Sequence, residues 1–284
     1  MILKSTKPKS LIEVDELNVM LASSATTVLY TRTQSNLAPP LQNEQSGYIP
    51  HSILFDFESD FVDKTSALPH MLPEKSQFIA DLAKLGINQQ SNVVVYDDQN
   101  MFCAPRVWWM LVALGFEKVS VLNGGLAAWL SDGKAQQGKL STPQTCDIQQ
   151  HCVSAYHRLA SKKDVLNSIT NEQCVIIDAR GRSRFLGLEP EPRRGVRAGH
   201  IPTSYNLHYA ALLESGRFKS TVALRHEFAS LGLNLANKTL IFSCGSGVTA
   251  CILALAAEQI GLKNWLVYDG SWSEWGADNN CPIA

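Results

Sequence analysis

The chain carries one pattern twice, in the same order, and that repetition restricts the folds open to it more than any other feature. Residues 93–96 (VVVY) form a short β-branched run that reads as a buried strand. Residues 107–114 (VWWMLVAL) are apolar all round and stop at Gly115, as a buried helix does. The strand KVSVL follows, then the string NGGLAAW ending at Trp129. Late in the chain the pattern returns. Residues 239–242 (TLIF) read as a strand, residues 248–260 (VTACILALAAEQI) as an apolar helix closed by Gly261, and NWLVY precedes DGSWSEW, ending at Trp275.

Upstream the correspondence continues, with GYIP at 47–50 facing GHIP at 199–202 and VLYTR at 28–32 facing IIDAR at 176–180. Strands alternating with helices predict an α/β protein in which each half is a parallel sheet flanked by helices. Residues 131–150 are rich in Gly, Gln, Ser, Thr and Lys, the composition of an exposed linker. The expected organisation is therefore a first domain over 1–138, a linker over 139–155 and a second domain over 156–284.

Superposing the two copies sets Cys244 opposite Asp97, within a one-residue difference in loop length. Only the second copy has a thiol there, so the second half is expected to be catalytic and the first not. Cys244 opens the loop CGSGVTA between an apolar strand and an apolar helix. Ligands of open α/β sheets sit beyond the carboxyl ends of strands, where this loop lies. Gly245 and Gly247 let the backbone turn its N–H groups inward as an anion nest, and the helix N-terminus adds partial positive charge. Such a setting favours thiolate over thiol. The hydroxyls of Ser246 and Thr249 are expected to face the same pocket.

Residues 178–200 hold six Arg and three acids, in a chain of net charge −1. Gly187, Pro190 and Pro192 exclude one continuous helix, leaving a loop that reads either as a solvated basic surface or as a grip for a small carboxylate. No aromatic residues interleave for base stacking, and the balanced overall charge supplies no field for nucleic acid or anionic lipid. No apolar run approaches a membrane span, and acids at Glu13, Asp15 and Glu16 break any leader-like start. Seven scattered cysteines without a CxxC pair fit a reducing, cytoplasmic setting, and no Cys/His spacing suggests a metal site.

The loop CGSGVTA at 244–250, the string VYDGSWSEW at 267–275 and CAPRVWW at 103–109 together resemble the tandem-domain rhodanese-like sulfurtransferases, over nearly the whole chain. The Gly-Ser pair after Cys244 is similar to the branch that uses 3-mercaptopyruvate, whereas thiosulfate-using members typically carry Arg-Lys. The resemblance implies two rhodanese-like domains with only the second active, no cofactor, and sulfur passed through a persulfide on Cys244. The acceptor would be a thiol, such as a thioredoxin-like dithiol, or cyanide, with pyruvate released.

It further implies that Arg184 and Arg193, within SRFLGLEPEPR, bind the donor carboxylate, and that Gly245, Gly247, Val248 and Thr249 line the donor site. His70, in LPHMLP, would relay a proton through Ser246 to the departing pyruvate enolate, oriented by an acid in FDFESD, for which Glu58 is the choice. An acidic surface turn reads equally well there. Arg180 is expected to be structural. The family's HIPGA turn is YIPH and HIPTS here, and the missing Gly predicts an altered turn. Thiosulfate transfer and a persulfide carrier without turnover stay as alternatives. A Cys-dependent phosphatase is disfavoured, because Ala250 stands where its loop needs an Arg.

Overall fold

The computed structural model describes residues 9–22, 26–35, 38, 47–147 and 155–284. The chain divides into two compact units. One takes the chain up to Asp56 and then Glu74–His157; the other takes Phe57–Pro73 and then Arg158–Ala284. A short excursion of the first half, residues 57–73, thus belongs to the second unit.

The first unit contains β1 (Leu11–Ile12), α1 (Val14–Leu21), β2 (Thr26–Tyr30), β3 (Ser52–Leu54), α2 (Lys75–Lys84), β4 (Asn92–Tyr96), α3 (Ala104–Ala113), β5 (Val119–Leu122) and α4 (Gly125–Ser131). Its strands form one parallel sheet in the order β1-β5-β4-β2-β3. The β-branched run of β4 lies near the middle because a parallel strand covered on both faces is apolar at every position. Val94 and Tyr96 join α1 and α4 residues such as Val14, Leu17 and Trp129 in one core cluster. Side chains alternate across a strand, so Val93 and Val95 are buried on the opposite face. α3 packs on β4 and β5 with nine of its ten residues buried, which is why it is apolar around its circumference.

The second unit repeats the plan with β6 (Leu159–Ala160), α5 (Lys162–Ser168), β7 (Cys174–Asp178), α6 (Arg182–Phe185), β8 (Tyr205–Asn206), a 3-10 turn (Tyr209–Leu212), β9 (Leu213–Glu214), β10 (Arg217–Phe218), α7 (Thr221–Ala229), β11 (Thr239–Ser243), α8 (Ala250–Gln259), β12 (Trp265–Tyr268) and α9 (Ser271–Trp275). Its parallel sheet has the order β6-β12-β11-β7-β8, and β9 and β10 form a separate antiparallel ribbon. With the ribbon set aside, the two sheets have the same order, the structural form of the duplication. Trp129 and Trp275 correspond in detail. Each buries its ring and donates Nε1–H to a carbonyl just beyond its helix, Ala135 or Pro282, at 2.8 Å.

The two turns that carry no glycine share one backbone conformation. His51 and Thr203 both hold the left-handed conformation, with φ of 66° and 64°, so residues with a Cβ occupy positions that favour glycine. Residues 139–147 are largely exposed but tied to the first unit, by Ser141 N–H on the Ser52 carbonyl and Cys146 N–H on that of Ala83. The rest of the expected linker, with Cys152, lies outside the described residues save for residue 155.

Candidate active site

Cys244 is the first residue after β11, in the interior of the second sheet, and is almost fully buried. Its loop is pinned from α9. The Trp272 and Ser273 N–H groups donate to the carbonyls of Cys244 and Gly245. Ser271 does more. Its hydroxyl oxygen accepts the N–H groups of Cys244 and Gly247, both at 3.1 Å, donates to the Tyr268 carbonyl at 2.7 Å, and lies 4.0 Å from the Cys244 Sγ. To reach this place Ser271 holds φ at 49°, a strained value for a residue with a side chain. The equivalent residue of the first unit is Gly125, with φ of 54°, where an added Cβ would come within 2.2 Å of the Asp97 carbonyl oxygen.

The first unit shows what the loop amides can hold. Asp97, the first residue after β4, turns its carboxylate into its own loop. It accepts the N–H groups of Gln99 and Met101 on one oxygen and of Cys103 and Ala104 on the other, at 2.7–3.1 Å. Burial pushes the Asp97 carboxyl up, and the four donors pull against that shift. In the second unit the N–H groups of Gly245, Ser246, Val248 and Thr249 have no acceptor among the described residues. Where the first unit fills its nest with a side chain, the second leaves donors for an incoming anion. Gly247 holds φ of 75°, the left-handed turn within this loop. Cys251, further along, is buried with its thiol on the Gly247 carbonyl at 3.2 Å.

The arginine-rich segment opens with the single helical turn α6 and then runs as loop. Arg180 is buried, chelates Asp178 through Nε and Nη2, reaches Glu191 at 2.8 Å and stacks on Trp272, so it is structural as expected. Arg184 donates Nε and Nη2 to the same Glu191 carboxylate, at 3.3 and 2.5 Å. It also lies over Gly245, where an added Cβ would meet Arg184 Nη2 at 3.2 Å. Arg193 is half-buried, and its guanidinium has no hydrogen bond or ion pair among the described residues. Burial pulls it below the ordinary arginine value and Arg184 adds repulsion, while Cys244 and Glu191 act in the opposite sense. Arg182 and Arg194 are exposed, and Arg197 is spent on the carbonyls of Trp275, Gly276, Asp278 and Cys281.

Residues 57–73 bring the histidine. The Leu72 N–H donates to the buried carboxylate of Asp269 at 2.8 Å and fixes the segment. His70, at φ of 62°, places Nδ1 3.1 Å from the Ser246 hydroxyl and Nε2 3.2 Å from Glu58 Oε1, with Phe57 beside its ring. The two ring nitrogens face different partners, Nδ1 the serine hydroxyl and Nε2 the carboxylate. Glu58 thus stands in line with His70 and Ser246 rather than in an isolated surface turn.

Three residues escaped the sequence reading: Ser271, Asp269 and Glu191. The first had a visible signal, since NGGLAAW and DGSWSEW align with Ser271 against Gly125. Nothing in the sequence separates Glu191 from the other acids of its loop.

The model of the rhodanese-like domain matches this chain twice, over residues 13–132 and 161–278. The 3-mercaptopyruvate sulfurtransferase of Escherichia coli K12 is 40% identical over 85% of both chains. The chain belongs to the rhodanese-like sulfurtransferases. The thiosulfate sulfurtransferase of Cricetulus griseus is 39% identical, over 81% of this chain and 78% of that one. Whole-chain identity within the rhodanese-like sulfurtransferases therefore does not choose between these two donors. The crystal structure of SseA from E. coli, described as a 3-mercaptopyruvate sulfotransferase, aligns with a TM-score of 0.79 at 34% identity, covering 93% of this chain and 99% of that one. Among the described residues no helix is long and apolar enough to cross a membrane.

Proposed function

We propose that this enzyme takes the sulfur of 3-mercaptopyruvate onto Cys244 and passes it to a thiol or to cyanide, releasing pyruvate. The observation that carries the reading is the set of loop N–H groups around the buried Cys244 that have no acceptor among the described residues, together with a half-buried Arg193 that couples electrostatically to Cys244. Four loop amides without an acceptor among the described residues suit the negative charge of a thiolate, and then of the longer persulfide.

In the first step the Cys244 thiolate attacks the donor sulfur. The S–S bond forms as the C–S bond breaks, and its electron pair leaves with carbon as the pyruvate enolate. A proton completes pyruvate. Arg193, with the unspent donor capacity of Arg184, holds the donor carboxylate so that its sulfur faces Sγ. The Ser246 hydroxyl supplies the proton and is recharged from His70, whose imidazolium Glu58 balances. In the second step the acceptor attacks the outer sulfur, leaving as a persulfide or as thiocyanate and restoring the thiolate. A covalent intermediate between two half-reactions requires ping-pong kinetics.

The neutral Gly245-Ser246 pair supports 3-mercaptopyruvate over thiosulfate, because a dianion gains most from cationic side chains in the loop. The test supplies each donor with the same thiol acceptor and records turnover. Preference for 3-mercaptopyruvate with stoichiometric pyruvate is expected. Preference for thiosulfate would reassign the donor, and sulfur loading without turnover would make the protein a carrier.

A further inference from the structure

Glu191 is buried, with only 4% of its side chain exposed, yet it sits inside the arginine cluster that faces the nucleophile. It binds Arg180 through one oxygen, and Arg184 through both. Arg180 is already neutralised by Asp178. Of the three guanidiniums in this cluster, Arg193 is the one with no ion pair to a carboxylate among the described residues, and it couples electrostatically to Cys244 first, then to Arg184 and Glu191. Three cations against two carboxylates leave the equivalent of one positive charge beside the thiol.

We infer that Glu191 is a specificity-determining positioning residue: it cancels one arginine charge, so that the site suits a donor with a single negative charge and discriminates against a dianion. Its carboxylate holds Arg184 against Gly245, which sets where the guanidinium's remaining N–H donors point. It also lowers the field that an incoming anion meets. A monocarboxylate needs one complementary charge, whereas thiosulfate carries two. Removing Glu191's charge favours every anion, but it favours a dianion twice as strongly, because Coulomb energy scales with the ligand's charge.

The inference uses the donor reading above only in choosing its probes, and the experiment separates the two. The quantity read is the kcat/KM for thiosulfate divided by that for 3-mercaptopyruvate, with one thiol acceptor throughout. Glu191→Gln keeps the shape and deletes the charge, and should raise this quotient on the order of tenfold. Glu191→Asp keeps the charge and shortens the reach, so it should leave the quotient near wild type even if both activities fall. Arg193→Gln, which removes one positive charge, should move the quotient the opposite way, and it tests the same charge balance if Glu191→Gln does not fold. A purely structural Glu191 would lower both donors equally. A quotient unmoved in Glu191→Gln, or in Arg193→Gln where the former does not fold, overturns the inference. A wild-type preference for thiosulfate would overturn the donor reading and leave the direction of these shifts as the test of Glu191.

Discussion

Asp97 and Cys244 occupy the same place in two copies of one fold, each the first residue beyond an interior strand. The carboxylate of Asp97 fills its own loop with four N–H hydrogen bonds, whereas the loop of Cys244 has amides without an acceptor among the described residues, beside a buried thiol. The contrast is the structural counterpart of the one position at which the two copies differ as Asp and Cys.

Because Asp97 satisfies four buried donors, Asp97→Ala should destabilise the protein by about 3 kcal/mol or more, the usual result when buried N–H groups lose their acceptor. Denaturant unfolding measures the loss. A change below about 1 kcal/mol would mean that those N–H groups find other partners.

Ser271 should matter in two separable ways. Ser271→Ala removes the acceptor for the N–H groups of Cys244 and Gly247 while keeping a Cβ at positive φ. Ser271→Gly removes the same acceptor but relieves the backbone. Both should lower kcat on the order of 10- to 100-fold, and the Gly variant should be about 1 kcal/mol more stable than the Ala variant. Equal stabilities would show that the backbone at 271 stores no strain.

The line from Glu58 through His70 to Ser246 predicts a dependence on the leaving group. Pyruvate enolate must be protonated, whereas sulfite departs from thiosulfate as a stable anion. His70→Gln should therefore cost about 100-fold in kcat with 3-mercaptopyruvate, and far less with thiosulfate. Comparable losses with both donors would remove His70 from proton delivery.

Much of this was legible from the sequence. The two copies, their strands and buried helices, the thiol loop and the arginine segment follow from periodicity and from the alignment of the halves. Glu58 with His70 came from the family resemblance. The roles of Ser271 and Glu191 did not emerge, because they depend on which atoms meet across the fold: a hydroxyl from the α9 turn under the β11 loop, and one acid among three chosen by two arginines. The turns at His51 and Thr203 were less legible. Loss of glycine at both places did not reveal that each residue holds a left-handed backbone, next to a buried isoleucine two positions earlier.

The strain of that backbone is itself testable. Thr203→Gly should raise stability by about 1 kcal/mol, less whatever the exposed Thr203 hydroxyl gains from the Ile169 carbonyl. A shift in Tm on the order of 2 to 4 °C is expected. Destabilisation would show that the left-handed backbone at Thr203 costs less than the flexibility that glycine adds to the unfolded chain.

The most direct test of the central claim is the mass of the reduced protein after one equivalent of 3-mercaptopyruvate without acceptor, with peptide mapping of the modified residue. One added sulfur atom on Cys244, matched by one equivalent of pyruvate and absent in Cys244→Ser, is the predicted result. Pyruvate released by Cys244→Ser at the wild-type rate, or sulfur carried on a different cysteine, would contradict it.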